Sequence, residues 1–146
     1  MQIIVKTFQE LDIEELYKLL QLRSDIFVVE QDCVFLDPDD KDQSALHVLG
    51  WKGRELVAYA RIFGPGEYFE QASIGRVAVK KSFRGRGYGV QIMQESIKAV
   101  KGHFGTTDIA LSAQKYLEQF YRDLGFSTEG KEYMEDGIPH VRMVLQ

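Results

Sequence analysis

The segment Arg84-Gly85-Arg86-Gly87-Tyr88-Gly89 constrains this chain more than any other. It joins a strand-like run, Ala72 to Val79, to a run whose apolar residues Val90, Ile92, Met93, Ile97 and Val100 recur at helical spacing. Closely spaced glycines let a chain turn tightly between strand and helix, because glycine adopts positive φ without steric cost. The first amides of the helix have no intrahelical acceptor, and the aligned peptide dipoles place positive charge there. Such a turn suits a diphosphate, with Arg84 and Arg86 able to add charge-assisted hydrogen bonds. The plainer reading is a helix-entry turn with basic surface side chains. Two better-known glycine loops fail on spacing: both the dinucleotide fingerprint and the P-loop would need glycine where Val90 stands.

The rest of the chain reads as a βαβββαβαββ order with no repeat, linker or low-complexity tract. Gln2 to Phe8 is strand-like. Asp12 and Glu15 have the spacing of a capping box, opening an amphipathic helix from about Ile13 into the twenties. Ile26 to Val29 is ambiguous between helix end and extended chain. Strands are expected over Leu46 to Trp51, Glu55 to Phe63 and Ala72 to Val79, and a helix from Gly89 to about Val100, followed by a breaker region at Gly102 to Gly105. A short strand, Ile109 to Ala113, precedes a helix from Tyr116 to Leu124 that stops at Gly125. Phe126 to Glu132 and His140 to Leu145 are closing strands. This order predicts an α/β or α+β sheet covered by helices, and 146 residues suit a single domain, 1–146.

Charge narrows the partners. The net charge is −4, which argues against a nucleic-acid surface. Lys80 to Arg86 nevertheless carries four basic residues and no acid, so a local anion site is expected rather than a polyanion face. Glu30 to Asp42 carries six acids against Lys41, either as a solvated loop or as a funnel for a cationic amine. An EF-hand reading of Asp37-x-Asp39-x-Lys41 fails because Asp42 stands at the glycine position and Val48 at the bidentate glutamate. One cysteine, Cys33, excludes an internal disulfide framework and a multi-cysteine zinc site, so no metal is expected. No apolar run is long enough to span a membrane, and the first ten residues do not read as a secretory signal. A cytoplasmic protein with neither nucleic-acid nor membrane partners is expected.

The strand followed by Arg84-x-x-Gly87-x-Gly89 resembles the acetyl-CoA-binding motif of the GNAT superfamily of N-acetyltransferases. Phe120-Tyr121-x-x-x-Gly125-Phe126 is similar to that superfamily's Phe-Tyr-x-x-x-Gly-Phe, at the right distance downstream. Leu11 to Gln31, Asp39 to His47, Ile74 to Val77 and Asp136 to His140 resemble its small ElaA-like branch. The resemblance covers nearly the whole chain. It implies a mixed, splayed sheet of about six to seven strands flanked by about four helices, with a bulge in strand Ala72–Val79. It further implies that the strand backbone over Val77, Ala78 and Val79 pairs with the pantetheine arm as an added strand. The pyrophosphate would lie against Arg84, Gly85, Arg86, Gly87, Tyr88 and Gly89. Gln114 stands where the family often has asparagine, and Leu117 where alanine is common.

Acyl transfer from a thioester needs a neutral amine, a donor to the developing oxyanion and a proton for the departing thiolate. Tyr121 matches the family's general acid, and a backbone N–H near Val79 its oxyanion donor. For the general base the candidates are His47, at the start of a strand, and Glu30, acting directly or through water. His140 is a weaker alternative, and a water relay needs no base at all. Cys33 has no paired base in the sequence and reads as unreactive. The resemblance therefore implies an acetyl-CoA-dependent transferase with a small-molecule or peptide amine acceptor, working in a ternary complex. A catalytically silent CoA-binding module is the alternative, and edge strands that pair between subunits in this superfamily make a homodimer compatible.

Overall fold

A computed structural model describes residues Met1–Gln146. Seven strands form one sheet: β1 (Gln2–Thr7), β2 (Leu46–Lys52), β3 (Glu55–Phe63), β4 (Ala72–Val79), β5 (Ile109–Gln114), β6 (Ser127–Glu135) and β7 (Ile138–Leu145). Their order is β1-β2-β3-β4-β5-β7-β6. Every neighbouring pair is antiparallel except β4 and β5. The helices are α1 (Ile13–Arg23), α2 (Tyr88–Phe104) and α3 (Glu118–Asp123). No helix is long and apolar enough to cross a membrane.

α1 begins at the expected capping box: the Asp12 carboxylate accepts from the Glu15 N–H at 2.7 Å, and the Glu15 carboxylate accepts from the Asp12 N–H at 2.9 Å. Glu15 also accepts from Lys6 Nζ, tying the helix start to β1. The ambiguous stretch after it is a π-helical turn, Ser24–Glu30, continuous with α1. Leu19, Leu22 and Ile26 pack with Leu49, Leu56, Tyr59 and Ala78 on one face of the sheet. The larger core lies on the opposite face, where Ile92, Met93 and Val100 of α2 and Tyr121 of α3 meet β2 to β5 and β7.

Three α-helices are present rather than about four. α2 runs through Gly102 and stops at Gly105, which takes φ +66 and donates to the Lys101 carbonyl, so Gly105 is the left-handed terminator. The last helix is shorter than its apolar pattern, because a 3-10 turn, Lys115–Leu117, replaces its first residues. The closing hairpin is longer than expected. Asp136 and Gly137 both have positive φ, +52 and +75, which supports a two-residue turn and lets pairing reach Glu135 and Ile138.

The parallel contact between β4 and β5 positions the site. Only Ala72↔Ile109 and Ser73↔Ala110 pair, and beyond them the strands part. β4 also gains a residue relative to β3: Gly75 faces Arg61 and Ala78 faces Tyr59, leaving Arg76 and Val77 unmatched, with Arg76 at φ +50. This bulge bends β4 away from β5.

Candidate active site

The parted strands open a cleft of about 600 Å³. The edge of β4 from Gly75 to Val79 has no strand partner on the β5 side, so its ladder is open to an extended ligand. Val77, Ala78 and Val79 all line the cleft.

At one end β4 leads into the glycine turn. Gly85 and Gly87 both take φ +79, and a Cβ at either would meet nothing within 4 Å. They are glycines for backbone reasons, and the space above them is open. Gly89 is helical; a Cβ there would touch Phe120 at 3.4 Å. The first bond of α2 runs from the Gln91 N–H to the Gly87 carbonyl, and no side chain caps the helix. The preceding amides are thus free for an anion. Gly85, Gly87, Tyr88 and Gly89 line the cleft, as does Arg84. Arg86 does not: its guanidinium stacks over the Phe83 ring at 4.9 Å, away from the lining. The residues present fit the diphosphate and pantetheine of an acyl-CoA.

Arg84 is held in place. Its Nε donates to the Val79 carbonyl at 3.0 Å, and Nη1 and Nη2 donate to the Glu30 carboxylate at 2.6 and 2.9 Å. The hydrogen bond from Arg84 holds the Glu30 carboxyl below its ordinary range despite some burial. Glu30 therefore sits at the glycine-turn end of the cleft as the partner of an arginine, a poor arrangement for accepting a proton.

His47 lies outside the cleft. It is fully buried in β2, with Nδ1 2.6 Å from the Tyr59 hydroxyl and Nε2 2.9 Å from the Asp42 carbonyl. Because a carbonyl only accepts, Nε2 carries the proton and Nδ1 accepts from Tyr59. Burial pushes the imidazole below its ordinary value, more strongly than the Asp42 carbonyl and charge raise it. Both nitrogens are used and no amine can reach them, so the geometry makes His47 a structural histidine.

Asp32 and Asp40 of the acidic segment are exposed, but Asp37, Asp39 and Asp42 are engaged by arginines. Arg23 Nε and Nη1 donate to Asp37 and Asp42 at 2.9 and 2.7 Å. Arg61 Nη1 donates to both Asp39 and Asp42, at 2.8 and 2.9 Å, and Nη2 to Asp39 at 2.8 Å. Arg76, at the bulge, donates from Nε to Asp37 at 3.0 Å. Three aspartates and three arginines form a largely buried network that ties the loop after α1 to β3 and β4.

Tyr121 is 6% exposed and lines the cleft from α3. Burial raises its phenol well above the ordinary value, so it is protonated at neutral pH. No side chain or carbonyl of the chain hydrogen-bonds its hydroxyl, and that oxygen is not among the fully buried orphan atoms, which places it against the cleft. Gln114 also lines the cleft, joined to Gln31 of the segment following the π turn by reciprocal amide bonds of 3.2 and 3.4 Å.

Sequence reasoning missed the second end of the cleft. Gln31, Cys33 and Phe35 reach it from the segment after the π turn, Ser112 from β5, and Glu135, Asp136 and Ile138 from the closing hairpin. His140, the weaker base candidate, lies there too. The one available signal was the polar pair Ser112 and Gln114, two apart in an otherwise apolar strand.

Similarity to known proteins agrees with this geometry. Residues 37–146 match the family model described as an acetyltransferase (GNAT) domain. The chain is 43% identical to Protein ElaA of Escherichia coli over 139 residues, 94% of this chain and 91% of that protein. It superposes on the crystal structure of Escherichia coli ElaA with a TM-score of 0.93 at 39% identity, covering 99% of both chains. An acyl-CoA N-acyltransferase from Pseudomonas aeruginosa matches with a TM-score of 0.93 and 35% identity over the full length of both. A splayed sheet with an open β4 edge, a capless helix start and these relatives together establish that the chain belongs to the GNAT acetyltransferase family.

Proposed function

We propose that residues 1–146 act as one domain that moves an acetyl group from acetyl-CoA to a primary amine, directly and within a ternary complex. The observation carrying this reading is that the open β4 edge, the uncapped start of α2 and the unpartnered Tyr121 hydroxyl line one cleft. Acetyl-CoA supplies a thioester carbonyl open to attack and a thiolate leaving group. The amides of Gly85 to Gly89, with Arg84, hold the pyrophosphate. The backbone of Val77 to Val79 orients the pantetheine by strand-like pairing. Amides of β4 beside the Arg76–Val77 bulge donate to the carbonyl oxygen as it gains charge. Tyr121 gives its proton to the sulfur, a step available because its phenol stays protonated. A cytoplasmic setting accords with a single free thiol.

The test pairs calorimetry with acetyl-CoA and a thiol-release assay over a panel of amines. Binding with amine-dependent thiol release is expected, and Tyr121→Phe should slow turnover about 10²-fold while leaving the acetyl-CoA affinity within a few-fold. Binding with no thiol release from any amine would assign the chain to non-catalytic CoA-binding modules. Equal kinetics for Tyr121→Phe would remove Tyr121 from the mechanism.

A further inference from the structure

Strand alternation sorts the cleft into two sides. Leu111 and Ala113 of β5 join Tyr121 in the core under α2 and α3, so Ser112 and Gln114 face the opposite side. His140 and Arg142 are in register with them on β7, and Tyr133 with His140 on β6; Glu135 shares the face of Tyr133. Tyr121 therefore approaches the gap from one side, and this polar set from the other.

Four of these side chains converge. His140 Nε2 lies 3.3 Å from Glu135 Oε2, and Ser112 Oγ lies 3.4 Å from the same oxygen and hydrogen-bonds the Tyr133 hydroxyl. The Tyr133 ring stacks on the imidazole, with centroids 6.1 Å apart. His140 Nδ1 is 2.7 Å from the Ile138 carbonyl, so in the neutral ring Nδ1 carries the proton and the Nε2 lone pair is available beside Glu135. Both His140 and Glu135 line the cavity. Tyr133 stacks on the imidazole and Arg142 shares its strand face; the other charged or titratable groups lining the same cleft are Glu30, Cys33, Arg61, Tyr68, Arg76, Arg84, Tyr88, Tyr116, Tyr121 and Asp136.

An aromatic wall adjoins this cluster. Phe63 stacks on Tyr68 at 5.3 Å and Tyr68 meets Phe69 edge-on at 4.9 Å. Arg142, two residues from His140, lies over Phe69 at 5.0 Å, linking the wall to the dyad's own strand. The cations here are already engaged. Asp37, Asp39 and Asp42 hold Arg61 and Arg76, and Glu129 holds Arg142. The unpartnered Arg61 Nε is fully buried, its guanidinium over the Phe63 ring. Glu135 has His140 as its only ionic partner, and Asp136 has none. The walls thus offer carboxylates to an ammonium group and no free cation to a carboxylate.

The geometry points to His140 as the residue that takes the proton from the acceptor, with Glu135 positioning it, and to an acceptor that is a monoamine on an aromatic or apolar body. This rests on the transferase reading. The ammonium gives one proton to His140 Nε2, and Glu135 stabilises the imidazolium. The neutral nitrogen bonds to the acetyl carbon as the carbon–sulfur bond breaks. The Tyr121 proton goes to sulfur, the second nitrogen proton restores the phenol, and His140 returns its proton to solvent.

The experiment measures thiol release from acetyl-CoA with 2-phenylethylamine, phenylalanine and putrescine, for the unmodified chain, His140→Gln and Glu135→Gln. 2-Phenylethylamine should have a kcat/KM at least about tenfold above the other two. His140→Gln should lose about 10²-fold in kcat and the acidic limb of the pH profile, with the acetyl-CoA-induced rise in Tm retained. Glu135 is an exposed side chain, so Glu135→Gln keeps the fold; it should slow kcat about tenfold with the KM for the amine within a few-fold, because the carboxylate 3.3 Å from the imidazole that positions it is gone. Titrating 2-phenylethylamine into the unmodified chain should shift the His140 imidazole NMR signals. An unchanged kcat in both variants, or unmoved imidazole signals, overturns the role of the dyad. Faster turnover of phenylalanine or putrescine overturns the acceptor class. A chain that binds acetyl-CoA and acts on no amine overturns the transferase reading instead.

Discussion

Glu30 accepts two hydrogen bonds from Arg84, from Nη1 at 2.6 Å and Nη2 at 2.9 Å, and so joins the end of the π turn to the glycine turn before α2. This carboxylate stands beside the place proposed for a pyrophosphate and competes with it for the same guanidinium. Glu30→Gln should tighten acetyl-CoA binding about two- to fivefold at low salt, the gain shrinking as screening rises. Arg84 keeps its bond to the Val79 carbonyl in that variant, so it stays in place. Calorimetry at two ionic strengths measures this, and weaker binding would mean that Glu30 chiefly orients Arg84.

Gly87 and Gly89 differ in why they are glycine. Gly87→Ala forces an L side chain to φ +79, and should cost about 1–2 kcal/mol of stability as well as acetyl-CoA affinity. Gly89 is already helical, with Phe120 at an ordinary contact distance, so Gly89→Ala should be neutral or stabilise by a few tenths of a kcal/mol, about what helix propensity allows. Thermal melts of the two variants, with and without acetyl-CoA, test the contrast.

Arg23 is fully buried between Asp37 and Asp42. Arg23→Met keeps the volume but strands two carboxylates beside an apolar group, and should destabilise by about 3–5 kcal/mol. For a chain of this size that is a fall in Tm of about 10 °C. A melt unchanged within 2–3 °C (about 1 kcal/mol) would show that Arg61 and Arg76 suffice to hold the loop.

The same network sets an acid limit. Burial raises the Asp39 carboxyl, but hydrogen bonds and charge from Arg61 outweigh it and hold it at about 2, against an ordinary 3.8. The folded chain therefore binds this proton less readily than the unfolded chain. Its contribution to stability is complete above the ordinary value and is lost as pH falls toward about 2. Asp39→Asn should lower the Tm at neutral pH and leave it nearly unchanged near pH 2, flattening the acid side of the stability profile.

The elements and the geometry of the glycine turn were legible because their causes are local. Asp12 and Glu15 lie three residues apart, and the cap they form is a property of that single turn. Gly85 and Gly87 allow positive φ without steric cost where strand meets helix, and the apolar spacing of Ile92, Met93 and Val100 already marks the face that α2 buries. Tyr121 was singled out by a motif that runs from α3 into the turn after it. Only the tertiary structure decided that His47 is sealed between Tyr59 and Asp42, that Asp37, Asp39 and Asp42 of the acidic loop are consumed by Arg23, Arg61 and Arg76, and that Ser112, Glu135 and His140 share a cleft wall. These outcomes join residues far apart in the chain, brought together by strand register and by the parting of β4 from β5. A polar side chain's type is written locally, whereas its partner, and hence whether it is free to do chemistry, depends on which distant strand packs against it.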